Sequence, residues 1–108
     1  MTRYLIEETP MPQAGAALIK NPQDRTEAMR TIFESVGGRL EHYYIAFSEG
    51  TVYLLAEIPD QESLAAIMMA IYASGVAMSL KATALMTATE AVDVFKKAGS
   101  LGYRPPTG

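Results

Sequence analysis

The sequence predicts a single α+β domain in which four antiparallel strands form one sheet and the main helices pack on one face of it. A chain of 108 residues with 49% hydrophobic content suits one globular domain with its own core. Proline and glycine punctuate the chain at regular intervals. The segments between them follow the order strand, helix, strand, strand, helix, strand, helix, which is the split βαβ arrangement.

The first strand and the first main helix are separated by a proline-rich stretch. Strand-forming side chains occupy residues 3–8 and precede a Thr-Pro-Met-Pro loop. Residues 14–20 add one or two helical turns, which Pro22 interrupts because a residue before proline avoids the helical region. Asn21 is then the expected N-cap of a new helix, with Pro22 in its first position. That helix ends at two glycines, and its apolar stripe consists of Met29, Ile32, Phe33 and Val36.

A hairpin is predicted next, with strands over residues 39–47 and 51–58. Both strands are rich in aromatic and β-branched side chains, and a Ser-Glu-Gly segment separates them. If residues 48–51 form the loop, three cross-strand pairs share the face under the helices: Phe47 with Val52, Ile45 with Leu54, and Tyr43 with Ala56.

The second half of the chain supplies a helix, a strand and a last helix. Asp60 is the expected N-cap of a helix that is apolar on most of its surface, so we expect it to be covered on more than one side. Residues 78–86 alternate as a half-buried strand. Thr87 and Glu90 form a capping box for the last helix. The domain is expected to cover residues 1–98, followed by a C-terminal tail over residues 99–108, of which residues 101–108 are expected to be loop-like and mobile.

The sheet face opposite the helices is predicted to be mixed in character rather than polar. It is expected to carry Leu40, His42, Tyr44 and Ala46 from one strand, Tyr53, Leu55 and Glu57 from the next, and Lys81 and Thr83 from the fourth. A sheet face that meets water is usually polar, and a large exposed apolar patch marks a partner or a ligand. Something is therefore expected to cover this face.

The composition excludes several classes of function. The chain has no cysteine, so cysteine catalysis, iron–sulfur clusters and disulfides are excluded. Nine Lys and Arg against twelve Asp and Glu give a net charge of -3, which provides no footprint for nucleic acid. The first residues resemble neither a signal peptide nor a membrane anchor, so a cytoplasmic protein without membrane contact is expected.

Three segments resemble the GYD domain family: ESVGGRLEHYYIAF, TVYLLAEIPD and KATALMTATE. The resemblance covers most of residues 4–94. It implies a ferredoxin-like fold of the dimeric α/β-barrel superfamily, in which two protomers put their open sheet faces together as a homodimer. The sequence departs from the tripeptide that names the family, since its hairpin reads Ser48-Glu49-Gly50-Thr51.

His42 and Glu57 are the candidate catalytic residues. His42 is the one histidine of the chain and lies across from Glu57 in the expected register, where the carboxylate would orient the ring for work as a general base. The alternative is a structural imidazole at a protomer interface, because one histidine without a nucleophile or metal defines no mechanism. One His and one carboxylate are also too few ligands for zinc, so neither a metal nor a cofactor is expected.

Tyr44, Tyr53 and Lys81 are the candidate ligand-binding residues. The two tyrosines would place phenolic hydroxyls in an apolar cavity, as a site for a small aromatic or carbonyl compound requires. They could equally fill the interior of the barrel. Lys81 could neutralise an anionic ligand or pair with Glu57 across the sheet.

Three functions remain open from the sequence. The first is a homodimer around a sheet-lined cavity, with no particular reaction, that assembles further through the apolar helix after Asp60. The second, implied by the superfamily, is a cofactor-independent monooxygenase-like or isomerase-like enzyme acting on a small organic molecule. The third is a binding module for a small ligand without catalysis. A closed pocket shared by His42, Tyr44, Tyr53 and Glu57 would favour the enzyme, and a filled interior would oppose it.

Overall fold

The computed structural model describes residues 1–107, which form one four-stranded antiparallel sheet and four helices. In chain order the elements are β1 (Thr2–Pro10), α1 (Pro12–Lys20), α2 (Thr26–Ser35), β2 (Arg39–Ala46), β3 (Thr51–Ile58), α3 (Gln61–Ala73), β4 (Ala77–Leu85) and α4 (Ala88–Gly99). The strand order across the sheet is β2-β3-β1-β4. The predicted α+β, ferredoxin-like fold class is confirmed, with α1 and α4 added to the split βαβ unit.

The core lies between one face of the sheet and helices α2 and α3. Strand β3 buries every second side chain from Val52 to Ile58, and β1 adds Tyr4 and Ile6. The apolar stripes of the helices meet this face through four buried side chains: Met29, Phe33, Ile67 and Ile71. Alternation in the strands and helical spacing in α2 and α3 therefore give the core that the sequence predicts.

Helix α2 begins later than Asn21, so the predicted cap is wrong. The helix starts at Thr26, and Arg25 occupies the N-cap position without a side-chain hydrogen bond. Asp24 Oδ1 instead accepts from the backbone N of Thr26 at 2.9 Å and from its hydroxyl at 2.6 Å. This local turn competes with helix formation before residue 26. By contrast, the predicted cap of α3 is confirmed, because Asp60 Oδ1 accepts from Ser63 N at 2.7 Å.

The hairpin register also differs from the prediction, by two residues. The loop is Phe47–Gly50, closed by a 2.9 Å hydrogen bond from Gly50 N to the carbonyl of Ala46. Tyr43 therefore pairs with Leu54 and Ile45 with Val52. A shift of two preserves the faces, so Tyr43 and Ile45 share the helix-side face as expected. Phe47, expected in the core, lies in the turn and is 87% exposed.

A β-bulge at Glu41 moves Leu40 to the face opposite the predicted one. Leu40 pairs with Ala56, whereas His42 pairs with Leu55, so Glu41 is the extra residue of β2. Leu40 is buried against the helices at 6% exposure, which corrects its predicted place beside His42. An unpaired residue in one strand reverses the alternation beyond it.

Helix α4 has the predicted capping box and no buried residue. Thr87 Oγ1 accepts from Glu90 N, and Glu90 Oε1 accepts from Thr87 N, each at 3.0 Å. Residues 101–107 contain neither helix nor strand, as predicted for the tail, and Gly108 lies outside the described residues. Within residues 1–107, no helix combines the length and apolar content needed to cross a bilayer.

Candidate functional site

The candidate site is the open face, the face of the sheet that turns away from α2 and α3. Strand register arranges its side chains in rows that run across all four strands. The central row is His42, Leu55, Leu5 and Thr83. The row toward the hairpin is Tyr44, Tyr53, Glu7 and Lys81, and the row at the other end is Arg39, Glu57, Arg3 and Leu85. Every predicted site residue is therefore on the predicted face.

Three residues of the end row form an ion cluster with Glu41 of the bulge. Its four members are Arg3, Arg39, Glu41 and Glu57. Arg3 binds Glu41 through Nε at 2.7 Å and Nη2 at 3.2 Å, and the same Nη2 donates to Glu57 Oε1 at 3.0 Å. Arg39 Nη2 donates to the same Glu57 oxygen at 3.1 Å. Both carboxylates are thus held by cations, and they are among the less exposed charged groups of the face, at 19% and 23% of the side chain.

The electrostatics of this cluster follow from its hydrogen bonds. The bond from Arg3 lowers the pKa of Glu41, and the same bond raises the pKa of Arg3. Charge-assisted bidentate pairs favour the ionised form of both partners. The Arg3–Glu41 pair is therefore held in its ionised form, and Glu41 is a poor general base.

His42 does not meet Glu57, which corrects the predicted cross-strand pair. The residue opposite His42 is Leu55, because the hairpin loop begins one residue earlier than predicted. The bulge beyond His42 then places Glu57 opposite Arg39. His42 is exposed and stacks on Tyr44, with the ring centroids 5.7 Å apart and the planes at 20°. Imidazole and phenol therefore form a stacked aromatic pair on the edge strand of the sheet.

The two candidate tyrosines are direct neighbours, but their hydroxyl groups have different surroundings. Tyr44 pairs with Tyr53 across the strands. Tyr53 donates its hydroxyl to Glu49 in the hairpin loop, at 3.0 Å to Oε2, and this bond raises the pKa of Tyr53. Tyr44 is 63% exposed. The hairpin loop thus holds the hydroxyl of Tyr53 through Glu49 and leaves Tyr44 exposed.

Lys81 lies beside Glu7 rather than Glu57. Its Nζ is 3.9 Å from Glu7 Oε2, and the lysine side chain is 74% exposed. Glu57 lies two strands away, in a row about 13 Å from the row of Lys81, so the predicted pairing with Glu57 is wrong. At this exposure the Lys81 ammonium remains available to an anion.

In a single copy, the described residues of this face form an open surface on which His42, Tyr44 and Lys81 are exposed. A groove of about 500 Å³ borders the ion cluster, between the start of β1 and the first turn of α4. Among the described residues, no group of three or more His, Asp and Glu side chains is arranged to hold a metal ion. A closed pocket, which would favour an enzyme, would form on this face only if another surface covered it.

Two residues of the site, Arg3 and Glu41, are not among the residues that the sequence predicted for it, and the reasons differ. Arg3 alternates with the buried Tyr4 and Ile6, so strand periodicity alone would have put it on the open face. Glu41 joins the face only because of the bulge, and bulges leave no simple periodic signal.

The fold and the site define a class: an α+β, ferredoxin-like domain whose open sheet face carries an apolar centre, an aromatic edge and an ion cluster. The sequence profile of the GYD domain family matches residues 4–94. The chain belongs to the GYD domain family. No curated protein and no solved structure matches it significantly.

Proposed function

We propose that the chain forms a homodimer through its open faces and that the space between the two faces binds a small planar aromatic molecule. The observation that carries this proposal is the uncovered apolar centre, where Leu5 and Leu55 lie side by side in the middle of the sheet. Both are only half-buried in a single copy. An apolar centre with a charged rim is the composition of a protein interface rather than of a wet sheet surface.

The aromatic edge supports the second half of the proposal. His42 and Tyr44 already stack on one another, and Tyr53 lies next to Tyr44. Rings in such an arrangement offer an offset-stacking surface to another ring. Lys81 at the far end of the same row adds a positive charge that favours an aromatic acid over a neutral ring.

Catalysis has weaker support than binding. The base hypothesis needs a free carboxylate beside His42, and Glu57 instead accepts hydrogen bonds from Arg3 and Arg39. A histidine without an orienting partner is a poor candidate for a positioned general base. We therefore propose a binding module.

The dimer is tested by two aspartate variants at equally exposed positions. Tyr44 and Met69 are 63% and 66% exposed, on the open face and on the outer side of α3 respectively, so neither substitution removes core packing. Tyr44→Asp is expected to make the chain monomeric in sedimentation equilibrium, whereas Met69→Asp stays dimeric. Two monomeric variants would point to α3 as the interface, and a monomeric parent chain would refute the dimer.

Ligand binding is tested by thermal shift with benzoate, indole and cyclohexanecarboxylate. A ligand that binds only the folded state raises the unfolding midpoint. Benzoate is expected to give the largest shift, and Lys81→Ala is expected to reduce it toward that of indole. Equal shifts for benzoate and cyclohexanecarboxylate, or none at millimolar concentration, would contradict an aromatic site.

A further inference from the structure

Helix α4 is an amphipathic helix that buries none of its residues against the described part of its own chain. Its twelve residues place apolar side chains on one half of the surface: Ala88, Ala91, Val92, Val94, Phe95 and Ala98. Thr89, Glu90, Asp93, Lys96 and Lys97 form the other half. Phe95 is 71% exposed, and no residue of the helix is buried. The apolar half therefore lacks the packing that normally stabilises such a helix.

The shape of the chain shows how far it is from compact. Its radius of gyration is 17.6 Å, against about 13 Å for a compact domain of this length. Its accessible surface is 7770 Å², about 1,900 Å² more than a compact monomer of its mass exposes. A standard interface covers about 800 Å² on each partner. The excess is large enough to supply one interface with surface to spare.

The open face alone falls short of a standard interface. Four strands of about eight residues cover a patch of roughly 19 by 26 Å, or about 500 Å² on each copy. Specific dimers bury about 1,200–2,000 Å² in total, so two such faces, with about 1,000 Å² between them, fall below this range. A twelve-residue helix about 18 Å long that buries one half of its surface adds a few hundred Å² per copy. Two such helices would bring the dimer into the standard range.

Helix α4 also begins at the rim of the open face. It follows Leu85, which shares a row with Arg3 and Glu57, and the groove beside the ion cluster includes Glu90. Arg3 and Glu57 line the same groove as Glu90. A second copy seated on the open face would therefore meet α4 at its first turn.

We infer that α4 is a reciprocal arm: in the dimer, the apolar half of α4 from each copy packs on the surface of the other copy. The inference rests on the proposed open-face dimer and adds to it the element that completes its interface. An isolated helix shorter than about 12–15 residues is marginal in water. The capping box and the two C-terminal lysines favour α4 locally, and the partner supplies the remaining stabilisation.

The first test compares two variants of the full-length chain that make the same change of net charge, one on the apolar half of α4 and one on the polar half. Phe95→Asp is expected to raise the dimer dissociation constant at least tenfold, because every dimer loses two buried phenyl rings. Lys97→Ala makes the same change of net charge on the polar half, away from the first turn, and is expected to leave the constant within about twofold. An unchanged constant for Phe95→Asp would overturn the inference and leave the open-face dimer standing.

Hydrogen exchange of the α4 amides is the second test, and it separates the two proposals. Protection is expected above the dissociation constant, with loss on dilution and loss in Tyr44→Asp. Protection that persists in the monomer would mean that α4 packs on its own copy, and free exchange in a stable dimer would mean that it packs on nothing. Either result overturns the arm. A parent chain that is monomeric at all concentrations overturns the arm and the dimer together.

Discussion

Arg3 on β1 reaches over β3 and binds both carboxylate oxygens of Glu41 on β2, at 2.7 and 3.2 Å. Two sheet spacings, about 9.6 Å, separate these strands, so a long guanidinium side chain is needed to join them. Glu57 of the intervening strand accepts from the same guanidinium. This contact depends on the bulge, because a regular β2 would point Glu41 toward the helices.

The Arg3–Glu41 pair predicts part of the acid sensitivity of the fold. The folded chain lowers the pKa of Glu41, so the unfolded chain binds the proton more tightly, and stability is lost as the pH falls through the lowered pKa. The contribution is fully present above the ordinary glutamate pKa of about 4.3. In urea unfolding between pH 2.5 and 7, Glu41→Gln is expected to show a shallower acid decline than the parent. An identical slope would contradict the assignment.

Glu8 is expected to contribute to the pH dependence of stability with the opposite sign. Burial beside β3 and β4 raises the pKa of Glu8, so the folded chain favours the protonated form, and its contribution to stability is lost as the pH rises through the raised pKa. Glu8→Gln removes this cost and is expected to stabilise the protein at pH 7 in urea unfolding. Glu34→Gln, at an exposed position of α2, is the control and should change little. Destabilisation by Glu8→Gln at pH 7 would reverse the assignment.

Two glycines predict opposite responses to alanine. A Cβ at Gly38 would lie 2.6 Å from the backbone carbonyl oxygen of Glu57, whereas a Cβ at Gly15 in α1 meets nothing within 4 Å. Gly38→Ala forces β2 and β3 apart and is expected to cost about 1–3 kcal/mol of the free energy of unfolding. Gly15→Ala is expected to gain about 0.5–1 kcal/mol from helix propensity. Equal effects in thermal unfolding would be inconsistent with this close approach.

Two phenylalanines test the corrected hairpin. Phe33 is fully buried and Phe47 is 87% exposed in the loop. Phe33→Ala is expected to cost about 3–5 kcal/mol of the free energy of unfolding, and Phe47→Ala less than about 0.5 kcal/mol. The measurement is guanidinium unfolding of both variants. A large cost at Phe47 would restore the register in which it faces the helices.

The order of elements, the core stripes and the composition of the open face follow from the sequence itself, because strand alternation and helical spacing are properties of neighbouring residues. Phe33 and Ile67 are in the core for this reason, and Tyr44, Tyr53 and Lys81 are on the open face for the same reason. The capping box of Thr87 is equally local, since its two hydrogen bonds span three residues.

Only the tertiary structure determined which side chains of the open face lie next to one another. A loop that begins one residue earlier than predicted put Leu55 in place of Glu57 opposite His42, and a one-residue bulge brought Glu41 to Arg3. Both changes depend on contacts between strands far apart in sequence, which local periodicity does not encode. The exposure of α4 is likewise determined by packing. The helical pattern of the sequence shows that the helix has an apolar half, but it does not show which surface covers that half.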